Sequence, residues 1–334
     1  MNKVFVSGGS GYIALHTIIL LLQKNYFVVT SVKDKDKIVL VKKCLKQNNI
    51  DVSRIEFHIL DLISDQGWDD ALEGCEYVLH MASPVIPGNV EMDLLVKPAV
   101  EGMTRCLNAA IKNKAKKFVL TSSYAAIYGN SKNTFSDDDW TDLNRKDLMP
   151  YEISKTKSEM GMWEIVNNSK YQIDACSINP VLVLGPSISG VISMSNKQVL
   201  NRLFQLPFIP KISLPIIGVR DVANAHLMAM LNKNSNGKRF LISEKTVDLI
   251  HIAKILKFNN LNVSTLVVPN YVVRFLSFFV PSLRAIAKRL NKTEYLETKN
   301  AKSILGFYPN SVDSEIIESA QQINLKNNSI FVLC

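Results

Sequence analysis

Tyr151 and Lys155, in the stretch PYEISKTKSE, are the pair in this 334-residue chain best spaced for proton chemistry. Four residues apart, just after a proline that suits a helix start, they fall on one face of a helix. A free phenol keeps its proton up to pH ~10, and a neighbouring ammonium favours the phenolate. The pair is therefore expected to form a poised acid/base. A third hydroxyl is expected at the carboxyl end of a central strand, where ligands bind in open α/β sheets. The run FVLTSSYAAIYG offers Thr121, Ser122 and Ser123 there, and position alone does not choose among them.

Such chemistry needs a redox or group-transfer partner, and the N-terminus supplies a candidate cradle for one. In VFVSGGSGYIALH (residues 4–16) a strand-like run is followed by Gly8-x-x-Gly11-x-x-Ala14 and then by helical spacing. Gly8 can take backbone angles that a β-carbon forbids, Gly11 lets backbone amides reach a pyrophosphate, and Ala14 lets the helix pack close to the sheet. The first helical residues, Tyr12, Ile13 and Ala14, present unpaired N–H groups and the positive end of the helix dipole to an anion. The second strand then bears on which dinucleotide is bound. An acidic side chain at its end would hold the ribose 2′-hydroxyl of NAD, whereas TSVKDKDK places Val32 and Lys33 there, with Lys37 one turn later. Two ammonium groups suit the 2′-phosphate of NADP(H). The same lysines also fit an ordinary solvated helix start, with Asp34 and Asp36 between them.

The elements that must position these residues are legible as a pattern. Apolar runs rich in β-branched residues recur at 3–7, 26–31, 55–60, 76–81, 116–123 and 172–185, with helix-period segments such as 12–24 and 92–114 between them. Continuous apolar strands alternating with helices predict an α/β fold, a Rossmann doubly wound parallel sheet covered on both faces. Past about residue 180 the pattern loosens into a smaller C-terminal substrate-binding lobe. The expected division is 1–178 for cofactor and 179–334 mainly for substrate, with 217–244 returning to the first lobe.

Composition narrows the classes. The net charge of +9 is spread along the chain without the aromatic interleaving of a nucleic-acid module, so no nucleic-acid partner is expected. The five cysteines show no CxxC pairing, and no signal peptide is visible, which predicts reduced thiols and a cytoplasmic location. The five histidines lack metal-ligand spacing, and no metal is expected. The most apolar stretch, 264–290, is broken by Pro269, Asn270, Arg274 and Pro281. It reads as a packed helix of the second lobe, with no membrane partner. SDDDW (136–140) reads as a solvated loop over the site.

In order along the chain, VFVSGGSGYIALH, LDL (60–62), HMASP (80–84), VLTSSYAAIYG, YEISK, INPVLVLGP (178–186) and VRDVANAH (219–226) resemble the extended short-chain dehydrogenase/reductases. Within that superfamily the chain is similar to the dihydroflavonol 4-reductase-like branch of NADPH-dependent aldehyde/ketone reductases, over residues 3–310. The resemblance implies that Ser123 is the catalytic serine, Tyr151 the proton donor, and Lys155 the residue that holds the nicotinamide ribose and lowers the tyrosine pKa. It implies that Asp61 and Leu62 flank the adenine, that Ala82, Ser83 and Pro84 line the cofactor near its ribose, and that Pro180 to Val183 border the nicotinamide. Ser195 is a further cofactor contact on the same grounds. Tyr128 stands where the plant enzymes place a pocket asparagine, a departure that speaks against a flavonoid substrate. The expected reaction is reduction of a small-molecule carbonyl, with a homodimer left open. The rival readings are an NAD-dependent sugar-nucleotide epimerase or dehydratase, a hydroxysteroid dehydrogenase, and a redox-sensing binding protein without catalysis.

Overall fold

The computed structural model describes residues 2–84, 91–128 and 133–331. The first half alternates strands and helices: β1 (Lys3–Val6), α1 (Tyr12–Gln23), β2 (Phe27–Val32), α2 (Lys35–Gln47), β3 (Ile55–Ile59), α3 (Trp68–Ala71), β4 (Cys75–His80), α4 (Met92–Lys112) and β5 (Lys117–Thr121). There follow β6 (Thr134–Ser136), α5 (Pro150–Asn168), β7 (Asp174–Pro180), β8 (Leu182–Leu184), α6 (Met194–Asn196), β9 (Ser213–Gly218), α7 (Val219–Leu231), β10 (Lys238–Ile242) and β11 (Lys245–Asp248). The chain ends with α8 (Leu249–Phe258), α9 (Asn270–Phe279), α10 (Pro281–Arg289), β12 (Tyr295–Glu297), α11 (Lys299–Ser303) and α12 (Asp313–Phe331).

Among the described residues seven parallel strands form the main sheet, in the order β3-β2-β1-β4-β5-β7-β10. Their apolar side chains point to both faces. On one side they pack with α1, α2 and α7 around Leu15, Ile18 and Leu45; on the other with α3, α4 and α5 around Trp68, Met103 and Met162. This is the Rossmann architecture that the apolar runs predict. From β1 the chain winds outward one way through β2 and β3, and from β4 the other way. The crevice for a ligand therefore opens at the carboxyl ends of β1 and β4.

The single run 172–185 is divided in the fold. β7 lies in the main sheet, and after Val181, whose N–H donates to Ile242 O at 3.1 Å, β8 joins the three-stranded sheet β11-β9-β8. That sheet, α8 and α12 surround a separate core around Leu200, Ile216, Ile252 and Ile316. β10 pairs with β7 and α7 packs against α1, so residues 219–242 lie on the first lobe.

Two expectations are corrected here. The helix α9 is not packed inside: Val273 is its buried residue, while Phe275 and Phe278 are 62% and 77% exposed. SDDDW is not simply solvated. Asp137 is buried, accepting the N–H groups of Leu241 at 2.6 Å and Asn300 at 2.9 Å. No helix of the described residues is long and apolar enough to cross a membrane.

Candidate active site

The glycine loop turns at the carboxyl end of β1. Gly8 has φ +70°, and a β-carbon there would come within 3.0 Å of the Ala82 Cα. A β-carbon on Gly9 would sit 2.2 Å from the Thr30 hydroxyl, so Gly9, unremarked in the sequence pattern, is the tightest position of the loop. Gly11 caps α1 with extended backbone and no side-chain cap, which leaves the first amides of the helix to an external anion. Ser7 locks this turn to the end of β4. Its hydroxyl accepts the N–H groups of Met81 and Ala82, each at 2.9 Å, and so donates to His80 Nδ1 at 3.0 Å. Burial, with the Lys155 charge nearby, holds the His80 pKa down at about 3, and the ring is neutral. Glycines where β-carbons would collide and a helix end free of side-chain caps fit a dinucleotide phosphate.

Around this cradle the expected contacts divide. Lys33 and Lys37 are exposed at the end of β2 and in the first turn of α2, where Asp34 caps the helix by accepting the Lys37 N–H at 2.9 Å. Neither ammonium forms an ion pair among the described residues. Asp61 is exposed and accepts the Ile63 N–H at 3.1 Å, whereas the Leu62 side chain is wedged against Gly102 of α4. Ala82 stands half-buried beside Gly8, and Ser83 is half-buried after it. The Tyr12 phenol reaches across to the second lobe and donates to Gly185 O at 2.9 Å, leaving its backbone to face the crevice. Ile13 and Ala14 pack into the core, as does Val183. Pro180 ends β7, and Ser195 is half-buried in α6.

The acid/base pair begins α5. Pro150 occupies the first helical turn and the Glu152 carboxylate accepts the Met149 N–H at 2.7 Å, which fixes the helix start one residue before Tyr151. The three hydroxyls differ in what they are engaged with. Because His226 Nδ1 donates to Val222 O, its Nε2 accepts the Thr121 hydroxyl at 2.7 Å. Ser122 donates to Glu159 Oε2 at 2.5 Å. Ser123 accepts the Ala125 N–H at 3.1 Å and is the one of the three hydroxyls that works on the Tyr151 phenol, lowering its pKa against burial.

Lys155 is buried on the next turn. Its Nζ lies 6.0 Å from the Tyr151 ring centre and donates to Thr121 O at 3.2 Å. Burial lowers its pKa to about 8, against the pull of Glu159. Tyr151 is 38% exposed, deep in the protein mass yet open to the cleft. Desolvation there raises its pKa, with the Ser123 hydroxyl opposing. The expected lowering by Lys155 is not what this geometry produces, because the ammonium is aimed at a carbonyl and itself gives up its proton readily. At neutral pH the phenol is protonated, the form a proton donor needs.

A buried polar network that sequence reasoning missed stands behind these groups. Glu159 accepts from Ser122, Ser177, Asn179 and Arg239, at 2.5 to 2.8 Å. Asn179 also donates to Ser123 O at 3.2 Å. Arg239 further donates to the carbonyls of Asp137, Asp139 and Ala126 and lies 3.7 Å from the Trp140 ring centre. One signal was present: Glu159 continues the four-residue step from Tyr151 and Lys155.

A Rossmann sheet with a phosphate cradle at its switch point and a Ser, Tyr and Lys set two strands away defines a nucleotide-dependent enzyme of the short-chain type. Residues 4–243 match the family model described as the NAD dependent epimerase/dehydratase family, and the chain belongs to that family. The chain is 32% identical to cinnamoyl-CoA reductase CAD2 of Medicago truncatula over 265 residues, 77% of this chain and 80% of that protein. It is 29% identical to the NADPH-dependent methylglyoxal reductase of Saccharomyces cerevisiae, covering 96% of this chain and 98% of that one. Among solved structures, Gre2 of Candida albicans in complex with NADPH superposes with a TM-score of 0.81 at 27% identity, covering 97% and 99% of the two chains.

Proposed function

We propose that this protein reduces an aldehyde or ketone to an alcohol, with Tyr151 as proton donor and Ser123 as the hydroxyl that holds the carbonyl oxygen. The chain is an NADP-dependent oxidoreductase, in keeping with its reductase relatives. Residues 1–178 with 217–244 would hold the cofactor and the rest of 179–334 would enclose the substrate. The Gly8 to Gly11 turn and the amides of Tyr12 to Ala14 would take the pyrophosphate, Lys33 and Lys37 the 2′-phosphate, and Lys155 the nicotinamide ribose. Bound there, the dinucleotide supplies a hydride to the carbonyl carbon.

The chain's own residues then handle charge. Ser123 donates a hydrogen bond to the carbonyl oxygen and polarises it, and Tyr151 passes its proton to that oxygen as negative charge develops. Solvent then reprotonates the tyrosinate left behind through the open side of the cleft, while Lys155 keeps the nicotinamide ribose in place. The observation that carries this reading is that Thr121 and Ser122 are engaged elsewhere, which leaves Ser123 as the hydroxyl that acts on Tyr151 against the effect of burial. Consumption of NADPH with a panel of aldehydes, diketones and flavanonols tests it. Turnover with at least one small aldehyde or diketone is expected, and absence of turnover across the panel would overturn it.

A further inference from the structure

We propose that a basic, aromatic-studded face of the C-terminal lobe docks onto an anionic lipid surface. Residues 249–293 contain seven lysines and arginines and no aspartate or glutamate, and residues 175–220 likewise contain no acidic residue. The fold joins the two stretches: Ile209 bridges Val267, and the Ser264 hydroxyl donates to Pro207 O at 2.6 Å.

The apolar side chains of this face point outward. A helix of a soluble protein normally turns its apolar stripe to the core. On α9, Tyr271, Phe275, Phe278 and Phe279 are 75%, 62%, 77% and 71% exposed, at spacings of three, four and seven residues that set them in one stripe. Phe275 and Phe279 pack edge to face at 5.4 Å, and Phe208 and Leu266, in the two joined stretches, are exposed as well. Arg274 is exposed on the same helix, and Arg284 reaches back to the end of α9 by donating to Ser277 O at 3.3 Å.

Charge selects the occupant. Arg289 is paired with Glu294 and Arg220 with Glu318, but the other cations of the two stretches outnumber the acids that border them. A second copy in a two-fold dimer would therefore set a basic face against itself, like charge on like. An anionic bilayer answers both features: aromatic rings enter the boundary between headgroups and acyl chains while the arginines and lysines meet lipid phosphates. With no membrane-crossing helix among the described residues, the mode is surface binding.

Flotation of the purified full chain with vesicles tests this. Phosphatidylcholine vesicles with roughly 30 mol% phosphatidylserine should carry the protein at low salt, with about tenfold weaker binding to pure phosphatidylcholine or at ~0.5 M salt. A Phe275→Asp/Phe278→Asp variant should bind the anionic vesicles at least about tenfold less while its NADPH affinity and thermal unfolding stay as in the parent. Failure of the parent to float with anionic vesicles, or equal flotation of the variant, overturns the proposal. So does a dimer seen by light scattering that this variant dissociates, since the face then belongs to a second copy.

Discussion

Glu159 and Arg239, eighty residues apart in sequence, meet at 2.6 Å with both side chains buried, and the same carboxylate holds Ser122 and Asn179 on either side of Ser123. Burying both charges is costly, and removing one leaves the other uncompensated. Glu159→Gln should therefore lower stability by roughly 3–5 kcal/mol in urea unfolding. A Glu159→Leu/Arg239→Met pair should recover much of that loss; equal damage in the pair would contradict the charge-compensation argument. The Glu159 pKa is depressed in the fold, chiefly by Arg239 working against burial. Its contribution is thus present above the unfolded carboxyl value of ~4.3 and is lost as pH falls through the lower folded value.

Much of the fold was legible because burial on both faces forces continuous apolar strands, and the glycine turn and YxxxK step are local. What escaped was long-range. Arg239 sits in a strand that reads as ordinary KRFLIS, and nothing near it announces a carboxylate on α5. The raised Tyr151 pKa is not legible in the sequence, because spacing along a helix brings Lys155 close but does not say that its ammonium donates to Thr121 O. The exposure of α9 was equally hidden, since an amphipathic period reads the same whichever face meets solvent.

Lys155 should dominate the alkaline limb of activity. Its pKa of about 8 lies below the ordinary lysine value, while the Tyr151 phenol is raised. In pH profiles of kcat/KM, activity should fall above pH ~8, and Lys155→Arg, which does not deprotonate, should move that limb beyond pH ~10. A limb unmoved by the arginine would assign it elsewhere. Because the unfolded chain binds more protons between pH ~8 and ~10.4, stability should rise with pH across that window.

On the proposed reading Lys33 and Lys37 set the cofactor preference. Charge-assisted bonds to a phosphate are worth ~1.5–3 kcal/mol, so Lys33→Ala/Lys37→Ala should lower kcat/KM for NADPH by about ten- to a hundredfold and leave NADH nearly unchanged. Equal losses with both cofactors would remove the 2′-phosphate role.

Gly9 is expected to tolerate no side chain. Its β-carbon would lie 2.2 Å from the Thr30 hydroxyl, which is itself pinned to Val6 O at 2.7 Å. Gly9→Ala should cost about 1–3 kcal/mol in thermal unfolding through overpacking and weaken NADPH binding by shifting the turn. A variant with parental stability would show that the loop relaxes freely.

The most direct test is Tyr151→Phe, with NADPH affinity read by fluorescence titration and turnover by single-turnover kinetics on the best carbonyl substrate. With the proton donor gone and the ring kept, NADPH should bind within about twofold of the parent while the reduction step slows by roughly 10²–10⁴. Reduction at the parental rate would mean that the proton comes from another group and that Tyr151 does not act on the substrate.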